Sequence, residues 1–179
     1  DSVIGNKSGK VLLTMFSRNT NLLLAFLRDH NTARSVLDVF NDLYAMFGRE
    51  TYCRLFPVIL TDRGSEFSNP VPIEQDENDE LRSLVFYCNP SAPYQKGGIE
   101  VAHELVRRVL PKGKSFDDLQ QEDIDLMLSH INSYKRGKLN SRSAYQLFNF
   151  IYGDDILPKL NIREIEANDI VLSPKLLKK

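Results

Sequence analysis

Two acidic residues lie in segments that could hold a carboxylate in a fixed place. Asp62 directly follows the apolar run Val58-Ile59-Leu60, and Gly64 comes two residues later. In α/β folds, side chains at strand ends collect at the edge of a sheet where ligands bind. A glycine there lets a ligand's backbone pass close by. The structural alternative is that Asp62 only caps the turn after the strand, as many Asp residues do.

Glu100 lies in the segment "GGIEVAHELVRRVL", which has helical periodicity. At 3.6 residues per turn, Glu100, His103, Glu104 and Arg107 fall on one face of the helix. The opposite face is apolar and predicts a core seam. One interpretation is a functional face on which His103 and Glu104 support a neighbouring site. The other is a solvated face on which Glu104 pairs with an arginine.

The elements that must position these acids have an α/β pattern. The predicted strands are residues 1–4, 11–16, 22–27, 57–61 and 84–88. The predicted helices are residues 32–48, 99–110, 117–134 and 141–151. Thr32 is the expected N-cap of the first helix, Gly48 its expected end, and Ser141 the expected cap of the last helix. The fully apolar run at 57–61 predicts a strand covered on both faces.

Composition limits the classes of protein that fit. The chain has 179 residues, 42% hydrophobic and 26% charged, which is typical of a domain with a substantial core. Its formal net charge of −1 provides no global attraction for nucleic acid. Cys53 and Cys88 lack metal-site spacing, so we expect free thiols in a reducing compartment. Without an apolar run of spanning length, we expect a cytoplasmic protein with no membrane partner.

The order of three segments carries a resemblance to a known family. Asp1 is followed by "LTDRGSEF" at 60–67 and by "NPSAPYQKGGIEVAHELVRRVLPKG" at 89–113, and 37 residues separate Asp62 from Glu100. This order resembles the catalytic core of DDE transposases and retroviral-type integrases, most specifically bacterial insertion-sequence transposases. The resemblance extends to about residue 148, where "NSRSAYQLF" is similar to the family's closing segment.

The resemblance implies a fold, a domain organisation and a catalytic site. The fold would be ribonuclease H-like, with a mixed five-stranded sheet flanked by helices. The core would cover residues 1–150, with its first strand cut short, and residues 151–179 would be a C-terminal extension. The catalytic residues would be Asp1, Asp62 and Glu100, which would also be the metal ligands.

Clustered carboxylates repel one another unless a cation lies among them. Hard oxygen ligands without Cys or clustered His favour Mg²⁺ or Mn²⁺. The resemblance implies two such ions, with Asp62 bridging both and Asp1 and Glu100 holding one each. The activity would be phosphodiester cleavage by water and strand transfer by a DNA 3′-hydroxyl.

The loop before Glu100 is expected to contact DNA. Ser91, Tyr94, Gln95 and Lys96 offer hydroxyl, amide and ammonium groups to phosphates, and Lys96 is the favoured contact. The Gly97-Gly98 pair would let this loop reshape on binding. The alternative for Lys96 is a solvated loop lysine. The implied partners are transposon ends and target DNA, further copies of the chain in a dimer or higher multimer, and a DNA-binding domain upstream of this segment.

Two alternative functions remain open from the sequence. A metal-dependent nuclease of the same fold would cut DNA without joining it. A catalytically inactive relic would serve as a DNA-binding or assembly module, and the near-neutral charge is compatible with that role. A phosphate-binding loop at "GNKSGK" is excluded because only three residues separate Gly5 from Gly9, and Val11 follows the lysine.

Overall fold

The computed structural model describes residues 1–6, 9–89 and 93–177, so the predicted contact Ser91 lies outside the described residues. The chain divides into a first unit, Asp1 with Arg28–Lys96, and a second unit, Ser2–Leu27 with Gly97–Lys179. The strands are β1 Ser2–Ile4, β2 Val11–Phe16, β3 Leu23–Arg28, β4 Val58–Thr61 and β5 Leu84–Tyr87. The α-helices are α1 Ala33–Leu55, α2 Val71–Glu74, α3 Gly97–Val109, α4 Gln121–Ser133, α5 Ala144–Tyr152 and α6 Ile156–Lys159.

The five strands form two sheets. One has the order β1-β2-β3, with β1 and β2 antiparallel, and the other pairs β4 with β5 in parallel. The predicted strand positions and the mixed character of the pairing are confirmed. The pairing of the described residues gives one sheet of three strands and one of two, not the single five-stranded sheet that was expected. The single sheet was implied by the family resemblance, since strand periodicity locates each strand but does not specify its neighbour.

In the first unit, α1 begins and bends at residues that the sequence indicated. The Thr32 hydroxyl accepts a hydrogen bond from Ser35 N–H, and together they form a capping box. Gly48 was predicted to end the helix, and the regular helix does stop there, because Gly48 leaves helical geometry at φ 71°, ψ 165°. A second helical stretch continues beyond this kink to Leu55, within the bounds of α1. Glycine suits this position because a side chain is strained at positive φ.

The parallel pair β4-β5 exposes one apolar face. Val58 lies opposite Leu84 and Leu60 opposite Phe86 in the register, and these side chains are exposed, Val58 by 57% and Phe86 by 53%. The prediction that residues 57–61 are covered on both faces is therefore wrong. An apolar run indicates which side chains favour burial. It does not specify whether another element covers them.

In the second unit, two side chains of α4 hydrogen-bond to the backbone of β3. Asn132 is fully buried; its amide accepts from Leu23 N–H at 2.9 Å and donates to Leu23 C=O at 2.8 Å. Gln121 accepts from Leu27 N–H at 2.8 Å and donates to Ala25 C=O at 3.1 Å. A strand on the edge of a sheet has unpaired backbone groups, and these two amides satisfy four of them.

The C-terminal segment also packs against α4. The hydroxyls of Ser129 and Ser133 accept from the backbone N–H groups of Arg163 and Ile165, at 3.1 and 2.9 Å. Residues 151–179 were predicted to be an extension, and the sequence left their role open. Here Ile156, Leu157 and Ile162 are almost fully buried. The segment therefore contributes to the core of the second unit.

His130 on α4 hydrogen-bonds to this segment through a ring nitrogen that can be protonated. Its Nδ1 accepts from Val171 N–H at 3.1 Å, which requires the unprotonated nitrogen. Burial lowers the pKa of His130 below the ordinary 6.5, although Asp169 opposes the shift. The unfolded chain therefore takes up this proton more readily than the folded chain.

We expect the thermal midpoint to fall as pH drops below about 6.5, because the folded state resists protonation at His130. The contribution is fully present above that pH. The measurement is the thermal midpoint between pH 8 and pH 5.5 for the unmodified chain and for His130→Gln, with the exposed His30→Gln as matched control. His130→Gln should flatten the pH dependence and His30→Gln should not. An identical slope in all three proteins would contradict the assignment.

The starts of three helices differ from prediction: α3 begins at Gly97 and α4 at Gln121, where residues 99 and 117 were expected. α5 begins at Ala144, and Ser143, not Ser141, caps it by accepting from Gln146 N–H. Ser141 itself has φ 60°, so it lies in the preceding turn.

The two cysteines are free, with Cys88 buried and Cys53 half-buried. Within the described parts of the chain, no helix combines the length and apolarity needed to cross a bilayer.

Candidate active site

Lys96 brings two of the predicted site residues together in the first unit. Its Nζ donates to Asp62 Oδ2 at 2.9 Å and also donates to Asp1 Oδ1. The side chains of Lys96 and Asp1 are only 18% and 17% exposed, and that of Asp62 is 50% exposed. The two carboxylates thus converge on one positive charge.

Backbone hydrogen bonding and a 3-10 turn hold Asp62 and Lys96 in place. Asp62 is the first residue after β4, and the preceding Thr61 is buried, with its carbonyl accepting from Cys88 N–H at 2.8 Å. Lys96 ends the 3-10 turn Pro93–Lys96. The Gln95 amide anchors that turn by accepting from Asn89 N–H at 2.8 Å. The end of β4 and the 3-10 turn therefore fix the backbone positions of Asp62 and Lys96.

Opposing effects determine the pKa of Asp62. Burial raises it, but the hydrogen bonds from Lys96 and from Gly64 N–H lower it further than burial raises it. The net pKa of Asp62 lies below the ordinary value of 3.8. Asp62 is accordingly a carboxylate, able to act as an acceptor or ligand, at neutral pH.

Gly64 has a second neighbour that sequence reasoning did not assign. A Cβ at position 64 would lie 2.6 Å from Glu66 Oε2 and 3.1 Å from Asp62 Oδ1. Two carboxylates therefore flank this glycine, and Glu66 also accepts from Asn31 at 3.4 Å. The spacing of Asp62, Gly64 and Glu66, D-x-G-x-E, is the sequence pattern that could have predicted this arrangement. Glycine at position 64 therefore leaves space for these two carboxylates. The sequence predicted only that it would leave space for a ligand.

Glu100 lies in the second unit, on the exposed face of α3. The predicted amphipathic helix is confirmed: Ile99, Ala102, Leu105, Val106 and Val109 are buried, and Glu100 and Glu104 are exposed. Glu100 lines a shallow groove of about 520 Å³ that Ser2 and Val3 of β1 also line. Its carboxylate is therefore accessible to a ligand.

The neighbours of Glu100 on α3 have structural contacts. His103 Nε2 and the buried Thr14 hydroxyl are 2.8 Å apart, which ties α3 to β2. Arg107 donates to Ile4 C=O at 2.9 Å. The Gly97-Gly98 pair forms the first turn of α3, and a Cβ on Gly98 would lie 2.4 Å from Phe16 Cε1. Glycine at 98 thus permits close packing on β2.

The donor set fits a hard divalent cation at Asp1 and Asp62. Two carboxylates already share one ammonium, and Mg²⁺ and Mn²⁺ prefer such oxygen ligands. Among residues 1–6, 9–89 and 93–177, no three His, Cys, Asp or Glu side chains form a group that could hold a metal ion. The structure therefore brings two predicted ligands together, and the place of Glu100 as a third ligand stays a prediction.

The predicted DNA-contacting residues have different surroundings. Tyr94 is 78% exposed, Gln95 is half-buried and hydrogen-bonded within its own loop, and Lys96 is paired with carboxylates. Sequence reasoning identified Lys96 as a phosphate contact but missed its position between Asp1 and Asp62. Nothing in the local sequence signals that position, because the partners are 95 and 34 residues away.

Comparison with solved structures defines the class of fold. The catalytic core domain of bovine immunodeficiency virus (BIV) integrase matches with a TM-score of 0.54 at 20% identity, over 85% of this chain and 90% of that one. A chain of the simian T-cell lymphotropic virus intasome, solved with the PP2A regulatory subunit B56γ, matches with a TM-score of 0.58 at 16% identity, over 93% and 55%. The predicted ribonuclease H-like fold is confirmed.

Sequence comparison then indicates the nearer relatives. "Putative integrase ORF3" of Spiroplasma virus SpV1-R8A2 B is 28% identical over 148 residues, 83% of this chain and 44% of that protein. The transposase for insertion sequence element IS4351 of Bacteroides fragilis is 24% identical over 83% of this chain and 43% of that protein. No family model matches the chain. The resemblance to DDE transposase and integrase cores is confirmed, and the chain spans less than half the length of these relatives.

Proposed function

We propose that this chain is the catalytic core of a DNA transposase or integrase that cleaves and joins phosphodiester bonds with Mg²⁺ or Mn²⁺. The observation that carries the proposal is the convergence of Asp1 and Asp62 on a single cationic group. Similarity to integrases and transposases in sequence, and to integrase cores in fold, supports the same conclusion.

Each proposed ligand has a defined role. Asp62, held at the end of β4, would be a ligand shared by two metal ions, and Asp1 and Glu100 would each be a ligand of one. When bound, two such ions activate the attacking oxygen and stabilise the leaving 3′-oxygen. Asp62 is ionised at neutral pH, since even the ordinary pKa of an Asp is far below 7, and it is therefore able to bind metal. The Glu100 carboxylate is exposed, and the groove that it lines has space for a substrate phosphate.

The proposed substrate is DNA, bound near the turn that carries Lys96. The exposed Tyr94 ring can stack on a base or donate to a phosphate, and Lys96 can pair with a phosphate when it leaves the carboxylates. By analogy with the relatives, we propose action on element ends and target DNA by a multimer of this chain. Because the chain has almost no net charge, we also propose that a further DNA-binding domain supplies affinity.

Strand joining tests this proposal against its alternatives. Labelled donor duplexes that carry the element's own ends would be incubated with plasmid and Mn²⁺, with the protein containing this chain. Transposase or integrase activity yields donor covalently joined to plasmid. A nuclease yields nicked DNA without joined product, and an inactive assembly module binds DNA but yields neither.

We expect Gly64→Ala to lower joining activity about tenfold to a hundredfold with little loss of stability. The backbone at position 64, φ −58° and ψ 150°, suits alanine, so the fold tolerates the change. The new methyl group must displace the Glu66 or Asp62 carboxylate, and small displacements of catalytic groups cost about that much. The readouts are joining rate and thermal midpoint, with Gly137→Ala, where a Cβ meets no atom within 4 Å, as matched control. Equal activity of the two variants would contradict the crowding argument.

A further inference from the structure

We propose that Lys96 is an internal cation that competes with the divalent metal for Asp1 and Asp62, and that a DNA phosphate draws it away. Metal binding and DNA binding would then strengthen each other through one side chain. This inference rests on the proposed function, because it assumes that the two aspartates are metal ligands.

The geometry puts Lys96 where a metal would have to bind. One ammonium group contacts Asp62 Oδ2 at 2.9 Å and Asp1 Oδ1 at once, and the Lys96 side chain is largely withdrawn from solvent. A divalent ion that used the same two oxygens would occupy the volume of Nζ. The lysine and the ion therefore exclude each other at these atoms.

The two bound forms also differ in charge. With Lys96 in place, its one positive charge lies against two carboxylates. With a divalent ion in place, the pair is neutralised, but the ammonium needs a new anionic partner. A DNA phosphate is such a partner, since Lys binds phosphate as a flexible point charge.

The coupling follows from this exchange. Without DNA, an incoming metal must break two charge-assisted hydrogen bonds of Lys96, which lowers its apparent affinity. With DNA bound, the phosphate holds Lys96 and the metal meets unoccupied carboxylates. By linkage, the metal must raise DNA affinity by the same factor. The device would keep metal affinity low until substrate is present.

The test is calorimetric titration of Mn²⁺ into the full chain, with and without a short DNA duplex. We expect Lys96→Gln to bind Mn²⁺ at least about tenfold more tightly than the unmodified chain without DNA, because one of the two lost hydrogen bonds alone is worth about that factor. DNA should tighten Mn²⁺ binding to the unmodified chain but not to Lys96→Gln. Lys96→Arg retains the charge and should keep the weaker affinity.

Arg49→Gln is the matched control. Arg49 also bridges two carboxylates of the first unit, Asp76 at 3.0 Å and Glu80 at 2.9 Å, away from the site. This variant should leave Mn²⁺ affinity unchanged, so an equal gain there would overturn the proposal as a generic charge effect.

A second readout covers the case in which Lys96→Gln is destabilised. Without metal, this variant should melt below the unmodified chain because Asp1 and Asp62 lose their shared cation. Mn²⁺ should then raise its midpoint more than it raises that of the unmodified chain.

The two hypotheses fail in different ways. Equal Mn²⁺ affinity of the unmodified chain and Lys96→Gln would overturn the competition while leaving the metal site intact. Absence of Mn²⁺ binding in every variant, with and without DNA, would overturn the metal site and with it the proposed function.

Discussion

Asp62→Asn is expected to lower the rate of metal-dependent DNA cleavage and joining at least about a thousandfold, because metal ions contribute several kcal/mol to phosphoryl-transfer transition states. The amide is nearly isosteric but carries no negative charge, so it cannot bridge two divalent ions. Asp62 is half exposed, and the backbone of β4 holds its position, so the fold should be preserved. The measurement is the single-turnover rate in Mg²⁺ and in Mn²⁺, with circular dichroism to confirm folding.

The matched control is Asp42→Asn, an exposed aspartate on α1 in the same unit. It makes the same chemical change away from the proposed site and should retain full activity. Retention of normal rates in Asp62→Asn would remove this residue from the mechanism. Loss of activity in both variants would instead indicate a general charge effect on DNA binding.

Asn132→Ala is expected to lower the free energy of unfolding by about 2–4 kcal/mol, because each buried group left unpaired costs about 1–3 kcal/mol. The substitution leaves both Leu23 N–H and Leu23 C=O without their partner, in a place where Asn132 is 0% exposed. Little compensation by water is available at such depth. Urea denaturation provides the free energy, and an unchanged m-value would confirm that the denatured state is not altered.

Two further variants make the Asn132 prediction specific. Asn69→Ala removes an exposed asparagine and should change stability by less than about 0.5 kcal/mol. Asn132→Asp preserves the acceptor for Leu23 N–H but loses the donor to Leu23 C=O, so it too should be destabilised. If Asn132→Ala behaved like Asn69→Ala, the amide bridge between α4 and β3 would not contribute to stability.

Local patterns predicted the elements well because they depend on near neighbours in sequence. Thr32 caps α1 through Ser35, three residues away, and the apolar stripe of α3 is buried as its periodicity indicated. What covers an element depends on distant residues. Local sequence patterns therefore could not predict the exposed face of β4 or the pairing of the five strands into two sheets.

The candidate site shows the same division. The motif order indicated Asp1, Asp62 and Glu100, and the structure brings the first two to one ammonium group. Lys96 was recognised as a functional lysine but was assigned to phosphate, because its carboxylate partners are far away in sequence. The Asn132 bridge left no sequence signal at all, since a buried helical asparagine has no characteristic spacing.

The central claim is that Asp1, Asp62 and Glu100 hold divalent metal, and anomalous diffraction from a crystal soaked in Mn²⁺ tests it most directly. The account predicts anomalous density within coordination distance of the Asp62 carboxylate, with Asp1 and Glu100 as further ligands and Lys96 Nζ displaced. Mn²⁺ density only at other sites, with Lys96 still bridging Asp1 and Asp62 at saturating metal, would contradict it.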